Sequence, residues 1–122
     1  MTPESTTSNM SAIDRLFEEL RSQGRKALMP FITAGDPDLK FTADLLRKLA
    51  ASGCHLCELG IPYSDPIADG PIIQAAYTRA LERKIRLDAI LKTVRAISPK
   101  LPMPVVTMVS YSIVYRHGLE RY

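Results

Sequence analysis

Apolar residues recur along the chain in two alternating rhythms, one with the spacing of a helix face and one that forms short, nearly unbroken runs. Ile13, Leu16, Phe17 and Leu20 repeat at helical spacing behind Ser11-Ala12-Ile13-Asp14, a capping box with Asp in place of the usual Glu, and Gly24 ends the run. Ala27–Thr33 is a compact apolar run closed by the turn residues Ala34 to Asp38, which predicts a strand. Phe41, Leu45, Leu46 and Leu49 mark a second amphipathic helix stopped at Gly53, and Leu56–Ile61 forms a second strand. Ile72, Ile73, Ala76, Tyr77 and Ala80 give a further helical stripe, and Leu87, Ile90, Leu91, Val94 and Ile97 give another. Beyond a turn region from Ser98 to Pro104, Val105–Val109 reads as a third strand and Val114–Tyr122 as the opening of one more helix.

Strands alternating with amphipathic helices predict an α/β fold, a parallel sheet under helical cover. Strands two and three lack a polar–apolar alternation, which predicts burial of both faces. Three strands leave open sheet edges. The polar segment Met1–Asn9 reads as a disordered leader, with Met10 as a second candidate start, so residues 11–122 hold the folded portion.

Composition narrows the classes. A chain of 122 residues is one domain's worth of sequence. Its net charge of +3 is spread over interleaved acids and bases, a solvated surface and not a nucleic-acid footprint. No apolar run has the length of a membrane span and no signal peptide opens the chain, so a cytoplasmic protein is expected. Cys54-His55-Leu56-Cys57 matches CxxC superficially. It falls in a predicted strand, where residues three apart point to opposite faces, and no second Cys/His pair completes a zinc site. Buried free thiols are the expectation.

The chemistry concentrates in "CELGIPYSDPIADGP", Cys57 to Pro71. Leu56, Glu58 and Gly60 share one strand face, and Cys57, Leu59 and Ile61 the other. A carboxylate aimed into a buried face costs several kcal/mol unless it is paired or neutralised. The other two strands offer no cation between Ala27 and Thr33 or between Val105 and Tyr111, so a structural ion pair needs a partner from elsewhere. Glu58 near the carboxyl end of a strand stands where α/β proteins keep their sites. The loop beyond it adds Asp65 and Asp69, stiffened by Pro66, Gly70 and Pro71. Plain turn duty suffices for Asp65. The alternating oxygen ligands of an EF-hand are missing. Two acids held close together suit divided labour, one exchanging protons while the other stays ionised beside developing positive charge.

"PFITAGDPD" on strand one, "CELGIPYSDPIADGPIIQAA" on strand two and "VYRHGLERY" after strand three closely resemble the alpha subunit of tryptophan synthase, from about Met10 to Tyr122. The resemblance implies a TIM (β/α)8 barrel, here only its first three βα units, with an extra N-terminal helix over Ser11–Gly24. It implies a lyase that cleaves indole-3-glycerol phosphate to indole and glyceraldehyde 3-phosphate. Glu58 matches the family's proton-transferring glutamate, for which a dry site is expected. Asp69 matches the aspartate that binds the indole N–H, and Phe31 an aromatic that packs on the indole ring. The resemblance further implies an alpha2beta2 assembly in which the Asp69 loop contacts the beta subunit. It places no cofactor in this subunit, pyridoxal phosphate belonging to beta.

Two departures qualify the resemblance. Ser110 stands where the family has a substrate-contacting tyrosine, a role Tyr111 is then expected to take, and Ser112 stands where it has an asparagine near the subunit interface. A whole barrel takes ~250 residues and eight βα units, with its phosphate site after strands seven and eight. The chain therefore reads as the N-terminal part of an alpha subunit, inactive alone. The competing reading is a non-catalytic half-barrel that docks on a beta subunit or on another half-barrel. A Schiff-base phosphosugar enzyme would need a strand lysine, and none of the three strands has one.

Overall fold

The computed structural model describes residues 9–122, and all but the last residue of the leader read over Met1–Asn9 lies outside them. Helix α1, Ala12–Ser22, begins with the expected capping box. The Asp14 N–H donates to Ser11 Oγ at 3.2 Å, and the Ser11 N–H donates to Asp14 Oδ2 at 3.1 Å. The order that follows is β1 (Phe31–Thr33), α2 (Leu39–Ala51), β2 (Cys57–Gly60), α3 (Pro71–Glu82), α4 (Leu87–Ile97), a 3-10 turn (Ser98–Lys100), β3 (Val105–Met108) and α5 (Tyr111–His117). The strands form one parallel sheet, as the alternation of elements predicts, and its order is β1-β2-β3.

Register sorts the strand residues into rows. Phe31, Glu58 and Val106 are partners across one row, and Thr33, Gly60 and Met108 across the next row on the same face. Ile32, Leu59 and Thr107 form a row on the opposite face, with Cys57 beside Val105. The core lies on that second face. Cys57 packs with Ala43 and Leu46 of α2, Ile97 of α4 and Met103. Leu59 packs with Ala34, Ile61 and Ile90 of α4. The expectation that both faces of strands two and three are buried holds for most of strand two, where Leu56 and Gly60 on the Glu58 face are buried as well as Cys57, Leu59 and Ile61 on the other, and Glu58 alone keeps partial exposure. It is corrected for strand three, where Val105 to Met108 are half-buried on both faces.

Other differences have local causes. The first strand is shorter than Ala27–Thr33 because Pro30 has no N–H for the ladder and the Leu28 N–H is taken by His55 Nδ1 at 2.8 Å. So His55, within the CxxC segment, serves as a backbone acceptor. In α2 the buried face is Thr42, Ala43 and Leu46, while Phe41 is exposed. Thr42 Oγ1 accepts a buried hydrogen bond from the Gly35 N–H at 2.9 Å, which rewards a polar residue there. The last helix runs Tyr111–His117 and not Val114–Tyr122, because Gly118 takes a φ of 112° and turns the chain. Tyr122 then donates its hydroxyl proton to Thr107 Oγ1 at 2.9 Å, tying the segment back to β3. No helix of the described residues is long and apolar enough to cross a membrane.

Both cysteines are free thiols, Cys54 half-buried and Cys57 wholly buried. Burial first, and the neighbouring Cys54 and Glu58 after it, push the Cys57 thiol from 9.0 up to about 11. The folded state then holds this proton more tightly than the unfolded chain, so stability is complete below pH 9 and falls as pH rises toward 11. Urea midpoints measured across that interval are expected to fall more steeply for the wild type than for Cys57→Ala, by about 2 kcal/mol in all. Equal slopes would show that Cys57 does not titrate there.

Candidate functional site

The carboxyl ends of β2 and β3, the acidic loop and α3 meet at one place. Ile61 and Pro62 leave β2 buried, and the loop from Tyr63 to Gly70 returns to α3 at Pro71, whose missing N–H and fixed φ suit the first turn of a helix. The loop closes on itself through the Ile67 N–H to the Asp65 carbonyl at 2.9 Å and the Asp69 N–H to the Pro66 carbonyl at 3.1 Å. From α3, Gln74 Nε2 donates to the Asp69 carbonyl at 2.6 Å and to the Pro66 carbonyl at 3.2 Å. Prolines stiffen the loop, and Gln74 anchors it.

Helix α3 is itself anchored across the end of β1. Arg79 grips Asp36 with two hydrogen bonds, Nε to Oδ1 at 3.1 Å and Nη2 to Oδ2 at 2.8 Å, a bidentate pair that raises the guanidinium further. Ala76, Tyr77 and Ala80 face inward from α3, while Ile72, expected in the same stripe, is 84% exposed at the first turn. The turn after β1 packs on Ile85, where a Cβ at Gly35 would come within 2.7 Å of that side chain.

At Gly60 the site is crowded. A Cβ there would lie 2.4 Å from Phe31 Cζ and 2.9 Å from the Tyr77 hydroxyl, so the two rings approach the strand only because residue 60 has no side chain. Beyond Gly60 a recess of about 190 Å³ opens among Asp69, Tyr77, Met108, Val109 and Ser110. Asp69, on its rim, is half-buried, and Asp65 is exposed in the turn expected of it.

Of the residues singled out from the sequence, Phe31 and Glu58 are neighbours in one sheet row. Asp69 reaches the same strand ends, linked through Tyr77 and Gly60 to the ring of Phe31. Tyr111 stands outside the recess, 66% exposed, its ring 6.1 Å from that of Tyr115. Glu58 is half-buried, not fully enclosed, although Leu56 and Gly60 on the same face are buried. Among the described residues its carboxylate enters no ion pair and no hydrogen bond, so the structural partner sought from elsewhere is absent there. Ser110 and Ser112 join their hydroxyls at 2.8 Å, and Ser112 meets the Tyr63 hydroxyl at 3.3 Å. These two departures from the family pattern thus tie the loop after β2 to the start of α5. Sequence reasoning missed Gln74, whose amide four residues beyond Gly70 was the available signal, and Tyr77, the polar-tipped member of an otherwise apolar stripe.

The arrangement offers a carboxylate with no partner among the described residues, in register with an aromatic residue on the next strand, and a second carboxylate on a stiff loop at the recess beyond Gly60. It suits proton exchange at a bound aromatic ligand. Comparison with known proteins gives the family. A family profile described as tryptophan synthase alpha chain matches residues 17–122. The chain is 50% identical over 113 residues to the tryptophan synthase alpha chain of Acaryochloris marina, covering 93% of this chain and 42% of that one. It is 50% identical over 116 residues to that of Rhodopirellula baltica, with the same two coverages. Among solved structures, the tryptophan synthase alpha subunit of Legionella pneumophila superposes with a TM-score of 0.84 at 41% identity, covering 89% of this chain and 42% of that chain. Tryptophan synthase from Mycobacterium tuberculosis, in its open form, matches with a TM-score of 0.84 at 34% identity, covering 91% and 44%. The chain spans under half the length of the relatives it matches.

Proposed function

The chain belongs to the tryptophan synthase alpha chain family, and on that premise we propose that it supplies the acid–base residues of a lyase that splits indole-3-glycerol phosphate into indole and glyceraldehyde 3-phosphate. The observation that supports this most directly is Glu58 standing unpaired beside Phe31 in one sheet row, with the Asp69 loop anchored over the same strand ends. In this reading the indole ring lies on Phe31. Asp69 accepts a hydrogen bond from the indole N–H and stabilises the positive charge that develops as C3 is protonated. Glu58 delivers the proton to C3 and removes one from the adjacent glycerol hydroxyl. The bond from C3 to the glycerol carbon then breaks and a carbonyl forms in its place. Tyr111, which stands outside the recess, would reach the substrate only from beyond its rim. No cofactor belongs to this chain, and pyridoxal phosphate belongs to its partner.

The proposed partner is a tryptophan synthase beta subunit, in an alpha2beta2 assembly. Ile67 and Ile72 flank Asp69 and are 86% and 84% exposed, an apolar pair at the loop that suits a protein surface better than open water.

Release of indole from indole-3-glycerol phosphate tests the reading, using the chain in the longest form its gene encodes. Because this sequence has no tryptophan, the fluorescence of the indole product stands clear of the protein over these residues. The wild type is expected to turn over. Asp69→Asn is expected to be slower by about a hundredfold, since a neutral amide stabilises the ring cation less than a carboxylate does. An unchanged rate would return Asp69 to loop duty. A wild type that releases no indole, even with a beta subunit present, would favour the non-catalytic docking module.

A further inference from the structure

The mechanism just given leaves Tyr77 without a task. Its side chain is 2% exposed. A phenol buried to that degree ordinarily pairs its hydroxyl. The hydroxyls of Tyr63 and Tyr122 are paired, with Ser112 and Thr107, yet that of Tyr77 makes no hydrogen bond to any described residue. Nor is it sealed in apolar surroundings, for no side-chain oxygen among the described residues is both buried and unpaired. Tyr77 lines the recess it shares with Asp69 and Ser110, the open space beside its otherwise buried side chain.

Three features hold the ring in place. The Arg79–Asp36 pair fixes α3 against the turn after β1, Gln74 ties the same helix to the Asp69 carbonyl, and Gly60 admits the hydroxyl to within 2.9 Å of where a Cβ would stand. Burial, and the negative charge of Asp69 after it, push the phenol up, so Tyr77 keeps its proton and acts as a donor. In the free protein this donor faces solvent in the recess. A ligand that displaces the water leaves the O–H to find another acceptor or to bear the cost of an unmade hydrogen bond. The anionic acceptor in the recess is Asp69, which has two oxygens and needs one of them for a ligand N–H.

From this juxtaposition we propose that Tyr77 is a positioning residue for Asp69: when a ligand fills the recess, its hydroxyl donates to one Asp69 oxygen and aims the other at the ligand N–H. A hydrogen bond to a carboxylate is stronger than one between neutral groups and fixes the plane of the acceptor. The inference rests on the role proposed for Asp69 in the lyase reading, and it assigns the work of orientation to α3, outside the loop that carries the aspartate.

A double-mutant cycle on Tyr77 and Asp69 tests it, read first as affinity for indole by the ligand's own fluorescence and then as turnover of indole-3-glycerol phosphate. Tyr77→Phe removes one oxygen and keeps the ring that packs α3. It is expected to weaken indole binding about tenfold when Asp69 is present and to have no further effect in Asp69→Asn, a non-additivity that loss of packing alone would not produce. Equal effects in both backgrounds, or no effect in either, overturn the proposal. Coupling in indole affinity from a protein that does not turn over would keep Tyr77 and sink the lyase reading. Turnover with additive effects would keep the lyase reading and sink Tyr77, and a wild type that binds no indole would remove both.

Discussion

Glu58→Gln is expected to lower indole release by about a thousandfold or more while leaving the fold in place. The amide has the shape of the carboxyl group but can neither deliver nor collect a proton. The structure sharpens the second half of this expectation. A carboxylate held by a lysine or arginine would leave an unpaired buried cation on removal, at a cost of about 3–5 kcal/mol. Here the Glu58 carboxylate has no ion-pair or hydrogen-bond partner among the described residues, and the residue is only half-buried. Neutralising it removes no attraction, so the urea midpoint of Glu58→Gln is expected to lie within about 0.5 kcal/mol of the wild type. Retained turnover would withdraw the proton-transfer role. A variant that unfolds would mean that Glu58 is structural after all.

The second large effect is expected at Gly60. In Gly60→Ala the new methyl meets Phe31 Cζ at 2.4 Å, Phe31 Cε2 at 2.8 Å and the Tyr77 hydroxyl at 2.9 Å. Two effects of opposite sign compete. Alanine restricts the unfolded chain and favours folding by about 0.4–1 kcal/mol. Overpacking costs about 1–3 kcal/mol. Phe31, half-exposed, can swing away, but Tyr77 is enclosed on α3 and α3 is pinned by Arg79 and Gln74. Overpacking is therefore the larger effect, and Gly60→Ala is expected to unfold at lower urea. Because the ring that gives way is the proposed indole platform, its affinity for indole is expected to fall as well. A variant as stable as the wild type with unaltered indole binding would mean that both rings move freely.

These two substitutions are two residues apart on one strand, yet they differ in how far the sequence alone could argue them. Glu58 is legible because a charged residue in an apolar run violates the pattern around it, and the neighbouring strands visibly lack a cation. Gly60 shares that strand face by simple alternation, but nothing in the sequence says that two aromatic rings from other elements converge on it. Asp69 stands out through the proline- and glycine-rich loop that carries it. Gln74, which holds that loop from α3, is marked only by an amide four residues beyond Gly70, a weak signal because a glutamine on a helix is ordinarily solvated. The family motif across Cys57–Ala76 names the important segment, and the family comparison agrees with it. It does not say that Ser110 and Ser112 replace the family's residues with a hydroxyl chain to Tyr63.

The alternation of apolar runs and helical stripes by itself determined the α/β class, the parallel sense of the sheet and the strand end near which Glu58 stands. Those features depend on periods of two and 3.6 residues, and periodicity is a property of the chain alone. Only the tertiary structure decided that Glu58 keeps partial exposure between the buried Leu56 and Gly60, that Pro30 shortens β1, that Gly118 turns the chain after α5, and that Tyr77 shares a recess with Asp69. Each of these depends on which distant segment fills the space beside a residue. Such neighbours are set by close packing in three dimensions, which leaves no fixed spacing along the chain to read.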